Sequence, residues 1–145
     1  MQLPDKIKSF LKEHHVLTLA TYGGKYPYCA NCFYAYDEEK NYFICLSEEK
    51  NKHIKDLTHS NKVALSIVLE TEKVGKIQGS QINAIMRKPM DETEHKSAKK
   101  LYLKRFPYAI LSNTDIWIIE PYFIKYTDNR LGFGKKIIWG NLDAK

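Results

Sequence analysis

The sequence is poor in cysteine, short of acidic charge and without a long apolar run. Its three cysteines are an odd number and give no disulfide framework, which suits a reducing cytoplasm. No stretch is apolar enough to span a bilayer. The opening MQLPDKIKSFLKEHH is amphipathic rather than a signal peptide, so a cytoplasmic protein with no membrane partner is expected. No repeat, low-complexity tract or linker divides the 145 residues, and one domain over 1–145 follows. The Walker phosphate-loop pattern is also missing. GFGK at 132–135 leads into strand-like residues instead of a helix.

What is present leans towards β structure. Ten Tyr, six Phe and two Trp favour strands, and 43% hydrophobic with 28% charged residues is the balance of a globular protein. The net charge of +6 raises nucleic acid as a partner, yet acids are interleaved with the bases along the chain. The densest basic run, Lys96 to Arg105, reads as the solvated face of a helix.

Taken in order, Pro4 and Asp5 open a helix whose stripe is Ile7, Phe10 and Leu11, with His14 and His15 near its end. Val16–Thr21 reads as a buried strand, followed by a turn at Gly23–Gly24 and a partner strand over Tyr26–Tyr36. Cys29 and Cys32 form a CxxC in that strand. Residues three apart in a strand face opposite ways, and no second ligand pair is spaced for zinc, so no metal site is expected. Asn31 is a polar residue on an otherwise apolar strand face, and a ligand edge or a backbone carbonyl could satisfy it. Further strands are expected at 62–69, 77–87, 115–120 and 122–127, with Gly79 marking a bulge or close approach and Pro121 a corner or edge. Asp91 and Glu94 form a capping-box variant ahead of a helix buried along Ala98, Leu101 and Tyr102. The short turns imply antiparallel pairing in a closed or partly closed barrel.

One stretch joins architecture to chemistry. Tyr42 to Leu57, YFICLSEEKNKHIKDL, begins as a strand and ends as a short helix in which Ile54 and Leu57 share a face. The turn between them gathers Ser47, Lys50, Asn51, Lys52 and His53, donors suited to a phosphate, and free N–H groups at the helix start would add to them. Equally, Ser47 could simply cap a helix beginning at Glu48–Glu49.

With CANCFYAYD (29–37), LSEEKNKH (46–53), KRFPYA (104–109) and above all KYTDNRLGFGKKIIW (125–139), the chain resembles the bacterial YhbP-like family. That family lies within the FMN-binding split-barrel superfamily typified by pyridoxamine 5′-phosphate oxidase. The resemblance implies a mainly β fold, a six-stranded antiparallel split barrel with flanking helices. It also implies a homodimer with FMN at the subunit interface. On it, Ser47, Lys52 and His53 would hold the FMN phosphate, Asn31 would meet the isoalloxazine edge, and Trp139 or Tyr126 would add stacking area. Lys–His stands where the oxidases carry Arg–Lys, and the residues that grip pyridoxine phosphate are not recognisable in GFGKKIIW. The expected function is thus FMN binding, with flavin-dependent oxidoreductase chemistry on an unassigned substrate. The alternative is a non-enzymatic module whose cleft takes haem, a nucleotide or no ligand.

Overall fold

The computed structural model describes residues 2–111 and 114–145. Pro4 precedes helix α1 (Asp5–Glu13), which buries Ile7, Phe10 and Leu11 as the apolar spacing predicts. Strands β1 (Val16–Tyr22) and β2 (Pro27–Phe33) form the first antiparallel hairpin across Gly24, whose φ of 95° only glycine adopts readily. After Tyr34 come β3 (Ala35–Asp37), β4 (Tyr42–Ser47), the one-turn helix α2 (Lys52–Asp56), β5 (Lys62–Val68) and β6 (Gln78–Arg87). Helix α3 (Glu92–Arg105) and strands β7 (Asp115–Asp128) and β8 (Lys136–Gly140) complete the chain.

Among the described residues all eight strands belong to one antiparallel sheet in the order β2-β1-β5-β6-β7-β4-β3, with β8 added along β7. The order itself shows the curvature. β2 and β3 stand at opposite ends of the sheet, yet only Tyr34 separates them in the chain, so the sheet has to roll back on itself. This is the expected split barrel, built from eight strands instead of six. The stretch 26–36 breaks into β2 and β3 at Tyr34, whose N–H bonds the His15 carbonyl. Conversely, 115–120 and 122–127 are one strand.

Pro121 is where β7 changes partner. Residues Phe43–Ser47 of β4 pair with its first half and β8 with its second, while a register shift between Asn83 and Ala84 in β6 absorbs the proline. The bulge therefore lies in β7 at Tyr122, beside Pro121, and not at Gly79, which sits in regular register between Val68 and Thr127.

The main core fills the barrel under α1, with Leu17, Leu19, Phe43, Ile67, Ile82, Ile119 and Ile124 among its buried residues. A second cluster packs Ile44, Ile116 and Ile118 against Ala98 and Tyr102 of α3. Asp91 caps α3 by accepting from the Glu94 N–H at 2.8 Å, while the Glu94 carboxylate reaches back to Met90 N–H and pairs with Arg87. Arg105, in its last turn, donates to the carbonyls of Lys12, His14 and Tyr34 and so ties α3 to the end of α1. Among the described residues no helix is long and apolar enough to cross a membrane.

Candidate functional site

The end of β4 and the start of α2 meet at one end of the barrel. Ser47 is the last residue of β4 and is 5% exposed; its backbone carbonyl accepts from the Trp117 indole at 3.2 Å. Its hydroxyl lies 2.8 Å from Nε2 of His53, itself 8% exposed. Ser47 therefore does not cap a helix at Glu48. The helix starts at Lys52, and its N-cap, Asn51, makes no side-chain cap bond. α2 has only five residues, and the N–H groups of Ile54 and Lys55 are already bonded to the Asn51 carbonyl. The chemistry rests on side chains.

Burial pushes the His53 pKa below its ordinary value, so the imidazole is neutral at neutral pH. One residue earlier, the Lys52 ammonium bonds the carboxylate of Asp56, its neighbour one helical turn on. Each shifts the other towards its charged form. The hydrogen bond raises the lysine pKa and lowers the aspartate's. The ammonium also stands 5.0 Å from the ring centroid of Tyr26 and 5.5 Å from that of Tyr28, within cation–π range of both. Within the core, hydrogen bonds with the Cys45 thiol and the Ser47 hydroxyl hold the Cys32 thiol below its usual range, while its bond to Cys32 and burial hold the Cys45 thiol well above.

Sequence reasoning points to Ser47, Lys52 and His53, of which the fold joins Ser47 to His53 and turns Lys52 to Asp56. It missed Thr21, Tyr26, Tyr28 and Asp56. The Lys52–Asp56 spacing was the only available sign, because the strand and turn that complete the cluster are remote in the chain. Asn31 and Trp139 stand elsewhere in the chain. Alternation along β2 turns Cys32 inward and leaves Cys29, Asn31 and Phe33 exposed, so the two CxxC cysteines face opposite sides, as expected. Asn31 accepts from the Thr18 hydroxyl at 2.9 Å on the outer face of the sheet. Trp139 on β8 packs on the core and borders a groove of about 440 Å³ with Tyr42, Glu120 and Pro121.

Two further features have local explanations. The TDNRLGFGK segment is a tied turn. Asp128, 2% exposed, accepts from the Arg130 backbone and guanidinium, and the Asn129 side chain bridges the Val74 carbonyl to the Gly134 N–H. The basic residues Lys100, Lys104 and Arg105 of α3 line a groove of about 680 Å³ whose opposite wall is acidic, Asp37, Glu38 and Glu39.

No family model matches the chain. Among curated proteins it is 36% identical over 139 residues to a UPF0306 protein of Cronobacter sakazakii, covering 96% of both chains. It is equally 36% identical to the UPF0306 protein YhbP of Escherichia coli O157:H7, over 96% of this chain and 94% of that one. Among solved structures, a heme binding protein from Mycobacterium smegmatis superposes with a TM-score of 0.76 at 14% identity, over 97% of this chain and 60% of that one. A FAD-binding protein from Mesorhizobium loti gives 0.68 at 15% identity, over 82% and 87%. A protein of Listeria innocua put forward as a pyridoxamine 5′-phosphate oxidase gives 0.64 at 16%, over 84% and 95%. At these identities the structural likeness speaks for the fold.

Proposed function

The chain belongs to the UPF0306 family, whose members include YhbP, and on that footing we propose that it binds FMN as a homodimer and serves as a flavin-dependent oxidoreductase. The observation that carries the reading is the pairing of Ser47 Oγ with His53 Nε2 at 2.8 Å where β4 runs into α2, with Lys52 the residue before His53. That donor set suits a phosphate in its chemistry, since charge-assisted bonds from cations to phosphate oxygens are the strong ones. When bound, the flavin supplies the redox chemistry, and the protein supplies binding, orientation and electrostatics. Lys52 would balance the phosphate charge, Ser47 and the His53 ring would hydrogen-bond it, and the exposed Tyr26 and Tyr28 rings offer apolar area beside it.

The homodimer draws support from the outer face of the sheet. Across paired strands it presents Asn31, Thr18, Ser66, Gln81, Lys125 and Ile138 in one rung, flanked by the exposed Phe33, Val16 and Val68. A face of small, polar and exposed apolar side chains suits a second copy of the chain. Asn31 would then lie at the subunit interface, where its bond to Thr18 leaves the amide nitrogen to donate elsewhere.

The test is a visible spectrum of the purified protein with and without added FMN. A yellow protein, or saturable FMN binding that Lys52→Glu abolishes, is the expected result, and a colourless protein indifferent to FMN overturns the reading. A second reading is a binding module for haem, in line with the heme binding protein from Mycobacterium smegmatis. The pairing of Lys52 with Asp56 favours it, because that leaves the cluster with little net positive charge. A Soret band on adding hemin, with no response to FMN, would decide for it.

A further inference from the structure

Asp56 is 4% exposed and is held from two directions. The Thr21 hydroxyl donates to Oδ2 at 2.8 Å and the Lys52 ammonium donates to Oδ1. On its third side lies the Gly23 backbone, where even a Cβ would overlap the carboxylate. The carboxylate is therefore the fixed member of the pair. Lys52 is the mobile one, with a side chain 37% exposed on a flexible four-carbon stem.

Helix stability does not account for the pair. A lysine in the first turn and an aspartate at the end reverse the order that a helix dipole favours, and α2 is a single turn. Electrostatically, the ion pair sums to zero and His53 is neutral. A phosphate entering the cluster brings a second anion to an ammonium that already has one.

We infer that Asp56 is an internal counter-anion that occupies Lys52 in the ligand-free site, and that a phosphate group binds by displacing this carboxylate from the ammonium. The inference deepens the proposed function and rests on its placement of a phosphate beside Lys52. Asp56 thereby sets how tightly the site takes a phosphate, and Thr21 and Gly23 are the residues that hold it in place. Because Asp56 is fixed, the carboxylate remains buried after Lys52 turns away, with the Thr21 hydroxyl as its remaining donor. The cost of leaving it so is what a bound phosphate has to overcome.

The experiment measures dissociation constants of FMN, riboflavin and inorganic phosphate for wild type, Asp56→Asn, Lys52→Met and the double variant. Asn retains a partner for Thr21 while removing the charge. The expected result is FMN and phosphate binding about tenfold tighter in Asp56→Asn, with riboflavin unchanged and the gain absent in the Lys52→Met background. A wild-type measurement guards against a variant that does not fold. Saturating phosphate should move the carboxyl carbon resonance of Asp56 as its ammonium partner leaves.

FMN binding that is no tighter in folded Asp56→Asn, or an Asp56 resonance indifferent to saturating phosphate, overturns the inference and leaves the flavin reading standing. Tighter phosphate binding in Asp56→Asn by a protein that ignores FMN does the reverse. No binding of either anion to any of the proteins overturns both.

Discussion

His53 carries two opposite pH dependences. In the folded protein burial holds its pKa below the ordinary value, and in the unfolded chain it titrates near about 6.5. The folded value is the lower one, so the stability tied to the neutral ring is complete above about pH 6.5 and is lost as pH falls from there towards the folded value. His14, also lowered by burial, adds a loss of the same sign. Urea unfolding at a series of pH values should show wild type losing more stability on acidification than His53→Gln. Phosphate binding runs the other way, because an anion beside the ring favours its protonation. FMN affinity should tighten as pH falls in wild type and change less in His53→Gln. Equal slopes for the two proteins would remove His53 from the site. Ser47, Lys52 and His53 were legible because a strand end and the next helix start are neighbours along the chain. Asp56 could be counted to from Lys52, but its other partner, Thr21, lies 35 residues away, and no spacing rule reaches it.

The elements were easiest to read where apolar periodicity is strong. Ile7, Phe10 and Leu11 are buried on α1, and Ala98 and Tyr102 on α3, as their helical spacing demands. Reading was hardest where the partner decides the conformation. Pro121 looked like a corner because its missing N–H breaks a ladder, but the change of partner from β4 to β8 and the Asn83/Ala84 shift let β7 run on through it. Gly140, at the end of β8, makes this closure possible. Its φ is 81°, and a Cβ there would overlap the Tyr122 carbonyl oxygen, which accepts from the Asn141 N–H at 3.2 Å. Gly140→Ala should therefore cost at least about 1 kcal/mol, since both backbone strain and a backbone contact oppose it. Gly75→Ala is the comparison, because a Cβ there meets nothing within 4 Å and its φ is not positive. Urea midpoints with unchanged m-values should separate the two variants, and similar midpoints would show that the β8 end yields to a side chain without cost.

At the scale of the molecule, the decisive fact is that the two ends of the sheet are one residue apart in sequence. Short turns announced antiparallel pairing, but the long-range pairings of β1 with β5 and of β4 with β7 are what curl the sheet. Local pattern holds no record of them. Curling sorts the side chains into a core inside the barrel and an outer face that keeps Phe33 at 60% and Val68 at 62% exposure. Phe33 pairs with Val16 across the β1–β2 hairpin, and alternation along the strands puts Val68 on the same side. For one chain in water this is apolar surface left uncovered, and a second copy related by a two-fold axis would cover it with the same residues. Light scattering should then give twice the mass of one chain, and the melting temperature should rise with protein concentration. Phe33→Asp, which places a charge in that face and gives up only the edge contact of Phe33 with Phe106, should yield a folded monomer whose melting temperature no longer depends on concentration. Since Asn31 lies on this face, the same variant should also weaken FMN binding if the flavin reaches across the interface, while phosphate binding at Lys52 and His53 persists. A wild-type protein that is monomeric at every concentration would refute the assembly and confine any ligand to the groups of a single chain.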